Sequence, residues 1–274
     1  MSNIIVLGAG MVGSAMAKDL SNNHNVLLTD LNASVLKDVK KSFSSIETLQ
    51  LDVTNDKELS NAVKDKDLVL SAVPGFLGYK TLEKIIKLKK DVVDISFFPE
   101  NALDLTELAV ENNVTAIVDC GVAPGMDNVI LGHYNETHKL ESFECLVGGL
   151  PKEKKWPFCY KAPFSPIDVI EEYTRPARYV ENGNLIVRPP LTDCEFIEFE
   201  KVGTLEAFNS DGLRSIIYTM PHIKDMKEKT LRYPGHVEYV RVLKDSGFFS
   251  NEVSKDFNIS PLDFTSKILF KEWK

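Results

Sequence analysis

Ile4-Ile5-Val6-Leu7-Gly8-Ala9-Gly10-Met11-Val12-Gly13 lies at the head of the chain and decides how the rest is read. Four apolar residues run into a G-x-G-x-x-G, and helical periodicity follows over residues 14–20. In such a loop Gly8 permits a tight turn and Gly10 lets backbone approach a pyrophosphate. Gly13 allows close strand–helix packing. The free amides and positive end of a helix starting near Met11 then face the phosphates, with Ala9, Met11 and Val12 filling the contact set. Alone the pattern is weak, and a plain strand–helix turn with fortuitous glycines competes with it. Its position at the start of an alternating strand–helix region is the context it needs.

That alternation continues for 120 residues. Apolar runs at 4–7, 26–29, 47–51, 68–73, 92–95 and 115–118 predict strands. Helical spacing at 14–20, 33–41, 57–64, 79–88 and 103–112 predicts the crossovers. Near-continuous apolar strands joined by helices imply a parallel sheet covered on both faces, doubly wound by right-handed crossovers: an α/β Rossmann domain over 1–122. After Asp119 the texture changes. A loop at 120–125 leads into a helix to about His138, and Cys194-Glu195-Phe196-Ile197-Glu198-Phe199-Glu200 alternates with period two. Asn182-Gly183 between apolar runs reads as a hairpin, and helices are expected at 166–173, 211–220 and 235–246. Residues 123–274 therefore read as an α+β domain with a mostly antiparallel sheet.

Strand ends carry the candidate ligand contacts. Asp30 ends the second strand, where a carboxylate accepts from the ribose hydroxyls of an adenine dinucleotide and repels a 2′-phosphate. Leu31 and Asn32 follow it with no Arg to receive that phosphate, so NAD is expected over NADP. A helix-capping aspartate is the alternative. Asp52-Val53 ends the third strand beside the adenine position or simply in solvent. Val73-Pro74-Gly75 breaks the chain where the nicotinamide half should pass. Asp94-Ile95-Ser96 ends the fifth strand in the same row. Ser96 is placed to bond a carboxamide or substrate, and Asp94 reads equally as a buried structural acid.

At 274 residues the chain has room for about two domains of ~150 residues each. A net charge of −8 argues against a broad basic face for nucleic acid. No apolar run of some 18 residues predicts a membrane span, and the N-terminus lacks a signal-peptide pattern. The four cysteines are widely spaced without C-x-x-C, so neither a zinc knuckle nor a disulfide framework is suggested. A cytoplasmic protein with reduced thiols and no metal is the expectation.

With these residues placed, the sequence resembles the saccharopine dehydrogenase-like oxidoreductases, most closely the lysine 6-dehydrogenase branch. The resemblance runs through the glycine loop, Asp52-Val53-Thr54, Val73-Pro74, Val93-Asp94-Ile95-Ser96 and Gly121-Val122-Ala123-Pro124-Gly125-Met126-Asp127-Asn128. It continues in Gly148-Gly149-Leu150-Pro151, Glu206-Ala207-Phe208-Asn209-Ser210-Asp211-Gly212-Leu213-Arg214 and Lys229-Thr230-Leu231-Arg232-Tyr233-Pro234-Gly235-His236. It implies hydride transfer between NAD(P) and a carbon bearing an amine, with a homodimer formed through the second domain. Cofactor contacts carry over to the glycine loop, Asp30, Asp52, Val53, Val73, Pro74, Ser96, Val122 and Pro124. Substrate contacts fall on Thr230, Leu231, Arg232 and Tyr233 and on segment 161–165, with Lys161 and Ser165. Saccharopine-forming members usually have Asp at Ala123 and Arg at Ser210, the latter holding the substrate's extra carboxylate. Their absence favours a smaller, lysine-like amino acid. Family members also normally continue past residue 274, so the chain reads as a fragment or a shortened variant.

For such a substrate an ammonium must lose a proton before hydride leaves the adjacent carbon. Arg232 is the first candidate to hold the α-carboxylate and Arg214 the second, each weighed against a structural ion pair. Asp94, Lys161 and Asp211 are open candidates for the general base. His133 and His138 fall on different helical faces and make no zinc pair. Two further readings stand beside this one: a saccharopine- or carboxynorspermidine-type reductase joining an aldehyde to an amine, and a non-catalytic NAD-binding protein.

Overall fold

The structure is a computed structural model and describes residues 1–256 and 258–273. It divides into two compact units, Met1–Gly121 and the residues from Val122 onward; Lys274, the last residue of the expected second domain, lies outside the described residues.

The first unit alternates β1 (Asn3–Leu7), α1 (Met11–Leu20), β2 (Asn25–Asp30), α2 (Ala33–Ser42), β3 (Glu47–Gln50), α3 (Asp56–Val63), β4 (Leu68–Ser71), α4 (Gly75–Lys87) and β5 (Val92–Asp94). A 3₁₀ turn (Ala102–Leu105), α5 (Thr106–Asn112) and β6 (Ala116–Ile117) complete it. All six strands are parallel, in the order β3-β2-β1-β4-β5-β6. Every strand and helix expected in this half is present, with ends shifted by a few residues. The pleat of β1 shows why both faces are covered. Ile5 and Leu7 pack with Leu59, Val69, Leu82 and Ile85, whereas Val6 packs with Ala17, Leu28, Leu36 and Ile46 on the other face. The strand order reverses between β1 and β4, and ligands of such sheets bind at that switch, outside the carboxyl ends.

The second unit contains α6 (Met126–Asn135), β7 (Ser142–Val147), α7 (Pro166–Thr174), β8 (Ala177–Glu181), β9 (Asn184–Arg188), β10 (Glu195–Phe199) and β11 (Gly203–Asn209). It continues with α8 (Ile216–Thr219), β12 (Asp225–Arg232), α9 (His236–Asp245) and α10 (Pro261–Glu272). Antiparallel pairing joins β10 to β11, β11 to β12, β12 to β8 and β8 to β9; β7 alone runs parallel, along β12. The β8–β9 hairpin turns at Asn182-Gly183, with φ of 51° and 77°. Both are left-handed, as a two-residue type I′ turn requires.

One expected helix is corrected. Residues 211–220 keep only the short α8. Asp211 is drawn toward Arg178, and Arg214 sits at φ 46°, which ends any helical path through it. A helix beyond residue 246 was not expected, although Ser260 accepts from the Asp263 amide and Pro261 follows it, a start signal visible in the sequence.

The side chains of β12 alternate between two environments. Leu231 and Tyr233 pack with Leu205 and Ala207 on one face. Glu228, Thr230 and Arg232 share the other face by strand parity. Phe208 of β11 belongs to the core that Tyr173 of α7, Val237 and Val240 of α9, and Leu269 of α10 complete. Among the described residues no helix is long and apolar enough to cross a membrane.

Candidate functional site

In the first unit the glycines behave as close-approach positions. Gly8 has φ 100°, and a Cβ on it would meet the Ala72 carbonyl oxygen at 2.5 Å. A Cβ on Gly13 would lie 2.0 Å from the Gly8 carbonyl oxygen. Gly10 is different: a Cβ there meets nothing within 4 Å. The space above Gly10 is therefore open at the start of α1. Among the described residues no side chain caps α1 and no acidic residue occupies its first turn, so the amides of Met11, Val12 and Gly13 have no side-chain claimant among them. A pyrophosphate fits that chemistry.

Asp30 is placed at the loop by a direct contact. Its carboxylate accepts from the Ala9 amide at 2.8 Å and from the Asn32 amide at 2.7 Å. Neither bond caps α2; Asn32 does that by accepting from the Ser34 amide. The competing capping role thus falls to Asn32. Asp52 closes its own loop. The Thr54 hydroxyl and then the Thr54 amide hold its carboxyl below the usual carboxylate range. Val73 is buried and Pro74 stands immediately before α4. Asp94 is fully buried and accepts from the Ser96 amide at 2.8 Å and the Ser96 hydroxyl at 3.2 Å. Ser96 is therefore turned toward Asp94, which favours the buried structural acid among the two expectations for Asp94.

In the second unit, Val122 is exposed and Pro124 buried in the loop before α6. Asp211 is not free to act as a base. Arg178 grips it with Nε at 2.8 Å and Nη2 at 2.7 Å, a two-pronged bond between β8 and the segment after β11. Arg214 is buried at 3% exposure. Ser165 precedes α7 without capping it. Lys161 is exposed and lines a cavity of about 250 Å³ with Lys155, Trp156 and Tyr160.

Arg232 takes part in the structural ion pair that was weighed beside its substrate role. It is 2% exposed, and its Nη2 donates to Glu172 at 2.6 Å. Its guanidinium carbon lies 4.4 Å from the Tyr160 ring centroid. Burial works against the guanidinium charge, but Tyr173, Tyr160 and Glu172 outweigh it and raise the pKa. The guanidinium fork stands at the centre of a buried ion pair with Glu172. Its Nε also donates to the Tyr173 hydroxyl at 3.2 Å. That hydroxyl lies 2.9 Å from His236 Nε2, and His236 Nδ1 lies 2.9 Å from the Phe158 carbonyl. A carbonyl only accepts, so Nδ1 carries the proton and Nε2 accepts from Tyr173. Burial, then the Arg232 charge, push the His236 pKa down to about 3. The ring is neutral at physiological pH, consistent with that tautomer. Tyr233 donates to the Pro151 carbonyl at 3.0 Å.

Thr230 leads through Ser210 to Glu228, an acid not singled out from sequence. Its Oγ1 lies 2.7 Å from Ser210 Oγ, which donates to Glu228 Oε2 at 2.8 Å. All three residues are buried. Gly212 makes room for this acid, since a Cβ there would sit 2.5 Å from Glu228 Cδ. Nothing in the sequence marks Glu228, which stands between Lys227 and Lys229 in a charged run; only strand parity places it with Thr230 and Arg232. Among the described residues no group of three or more His, Cys, Asp or Glu is placed to hold a metal ion.

A parallel sheet in this strand order, with an open glycine-lined start to its first helix, defines a doubly wound fold of the dinucleotide-binding class. The more particular assignment comes from comparison. Residues 4–117 match the family described as the saccharopine dehydrogenase NADP binding domain, and residues 121–274 match the saccharopine dehydrogenase C-terminal domain. The chain belongs to the saccharopine dehydrogenase family. It is 27% identical to the NADP(+), L-glutamate-forming saccharopine dehydrogenase of Saccharomyces cerevisiae, over 93% of this chain and 60% of that protein. It is also 27% identical to the alpha-aminoadipic semialdehyde synthase of Arabidopsis thaliana, over 93% of this chain and 27% of that one. The solved apo saccharopine dehydrogenase (L-Glu forming) of S. cerevisiae shares the fold at a TM-score of 0.72 and 24% identity, covering 93% of this chain and 60% of its own. The chain thus spans about 60% of the yeast relative's length.

Proposed function

We propose that this chain is a pyridine-nucleotide oxidoreductase acting on a CH–NH₂ or CH–NH group of a lysine-like amino acid. The observation that carries the reading is the open Gly10 position at the start of α1, flanked by Gly8 and Gly13 and held to Asp30 through the Ala9 amide. Family membership supports the redox chemistry. The bound nucleotide supplies a hydride acceptor or donor; the chain's residues bind, orient and manage protons. Gly8, Gly10, Met11, Val12, Gly13 and Asp30 hold the nucleotide, with Val73 and Pro74 as further contacts. Thr230 and Lys161 face the substrate. A homodimer belongs to the same reading.

The choice of nucleotide rests on two grounds that disagree. The matching family description and the yeast relative's name both carry NADP. Asp30 favours NAD, because its carboxylate suits a ribose hydroxyl and opposes a phosphate dianion, and no Arg follows it. We place NAD first for this chain. Calorimetric titration decides it: NAD should bind at least about tenfold more tightly than NADP, and Asp30→Asn should narrow that ratio by about tenfold or more. Tighter NADP binding by the unaltered chain would remove the Asp30 argument.

The relatives' names favour a second reading, a saccharopine-type reductase. Its test is nucleotide oxidation with aldehyde–amine pairs, run beside nucleotide reduction with lysine, ornithine and diamines. Reduction with the amines and none of the reverse coupling supports the first reading. Heat on titration with nucleotide, but turnover in neither assay, leaves a nucleotide-binding protein.

A further inference from the structure

Ser210, Thr230 and Glu228 form a continuous line of exchangeable protons in the second unit. Ser210 Oγ stands between Thr230 Oγ1 at 2.7 Å and Glu228 Oε2 at 2.8 Å. A hydroxyl both donates and accepts, so this line has two complete arrangements. With Glu228 ionised, Thr230 donates to Ser210 and Ser210 donates to the carboxylate. With Glu228 protonated, its O–H donates to Ser210, Ser210 donates to Thr230, and Thr230 donates outward. One proton gained at Glu228 therefore reverses every bond in the line. Gly212 keeps the carboxyl in place, since any Cβ there would collide with Glu228 Cδ.

We infer that Glu228 is the store for the proton that an ammonium substrate sheds at Thr230, relayed by the Ser210 hydroxyl. The inference rests on the amine-oxidising reading proposed above and on Thr230 facing the substrate. The step balances as an acid–base exchange. The substrate N–H bond breaks and its proton passes to Thr230 Oγ1. The Thr230 proton moves to Ser210 and the Ser210 proton to Glu228 Oε2. The substrate becomes a neutral amine, Glu228 becomes a carboxylic acid, and no oxidant is consumed. Glu228 touches no substrate atom, so it is a positioning residue that works through the two hydroxyls.

The surroundings suit the task. Asp127 of α6, Cys145 of β7, Glu172 of α7 and Tyr179 of β8 face Glu228, and Arg232 shares its strand face. Arg232 is committed to Glu172, and the Tyr179 hydroxyl donates to the Glu228 backbone carbonyl. Burial first, with Glu172 and Asp127 adding repulsion, raises the Glu228 carboxyl to about 8, against the pull of its Ser210 bond. An acceptor with that affinity exchanges a proton readily near neutral pH, whereas an ordinary lysine-type ammonium near ~10.4 does not.

The test uses the full chain, Glu228→Gln and Ser210→Ala. With lysine and nucleotide, each variant should lose about 100-fold in kcat at pH 8, and the loss should shrink as pH approaches ~10.4, where free amine no longer needs an acceptor. A merely structural role gives a loss that does not vary with pH. Melting without substrate or nucleotide is the second readout. The folded acid holds its proton up to about 8 and the unfolded one releases it near the ordinary 4.5, so stability falls as pH rises through that interval. Wild type and Ser210→Ala should lose melting temperature over that window, and Glu228→Gln should lose clearly less, the remainder coming from the raised acids Asp127, Glu172 and Glu206. Wild-type rate and pH profile in both variants would overturn the inference and leave the amine-oxidising reading intact. An unaltered chain that reduces nucleotide with no amine overturns that reading, and the relay with it. If Glu228→Gln does not fold, Ser210→Ala alone decides, a pH-independent loss counting against the relay.

Discussion

Gly13→Ala is expected to cost about 3 kcal/mol or more of stability and to abolish nucleotide binding. Gly10→Ala, in the same loop, is expected to fold normally. Gly13 lies inside α1, where exchange of glycine for alanine is ordinarily worth up to about 1 kcal/mol in favour of the helix. Here the new Cβ would lie 2.0 Å from the Gly8 carbonyl oxygen. That oxygen belongs to backbone whose own residue is held at φ 100° with Ala72 against it, so neither side can yield cheaply. The clash outweighs the propensity. A Cβ on Gly10 meets nothing, and its φ of −65° suits any residue. The cost of alanine as the residue before α1 stays near about 1 kcal/mol. What Gly10→Ala obstructs is the approach of a pyrophosphate, so affinity should fall at least about tenfold, roughly 1.4 kcal/mol. Thermal melting and calorimetric titration of the two variants separate packing from binding. A Gly13→Ala chain as stable as its parent contradicts the packing argument, and unchanged affinity in Gly10→Ala contradicts the phosphate site.

The second large effect is expected at Arg232. Arg232→Ala leaves Glu172 buried without its partner and withdraws the donor to Tyr173. Removing one member of a buried ion pair typically costs about 3–5 kcal/mol, which at this chain length lowers the melting temperature by roughly 6–20 °C. Arg232→Met together with Glu172→Leu should recover most of that loss, because no charge is then left behind. The measurement is a double-mutant melting series. A carboxylate clamp for substrate predicts something else: a raised KM with little change in melting. An Arg232→Ala chain that melts with its parent would return the residue to substrate binding.

The alternating region up to residue 121 was legible because its signals are local. Each strand but the polar edge strand β3 carries a short apolar run and each helix shows its periodicity, so ends move by a few residues but no element changes type. Asp30 was legible for the same reason: its position at the end of β2 follows from counting. The second unit was harder. Its strands pair across long separations, as when Glu206 meets Arg232 and Ser142 meets Asp225, and no local pattern states such partners. The expected helix at 211–220 failed because Asp211 answers to Arg178, 33 residues away.

Residue types and their spacing were enough for the doubly wound sheet, the glycine loop and the family, since those depend on local periodicity and on motifs contiguous in the chain. Which charged side chains are free and which are spent is another matter. Arg232 and Asp211 look alike in a string whether they await a ligand or a neighbour. Only folding brings Glu172 and Arg178 within hydrogen-bonding distance of them, and burial makes those bonds too costly to give up. Glu228 is the converse case: an unremarked acid in a charged run, it becomes chemically distinctive once strand pairing sets it among hydroxyls and other acids, away from water.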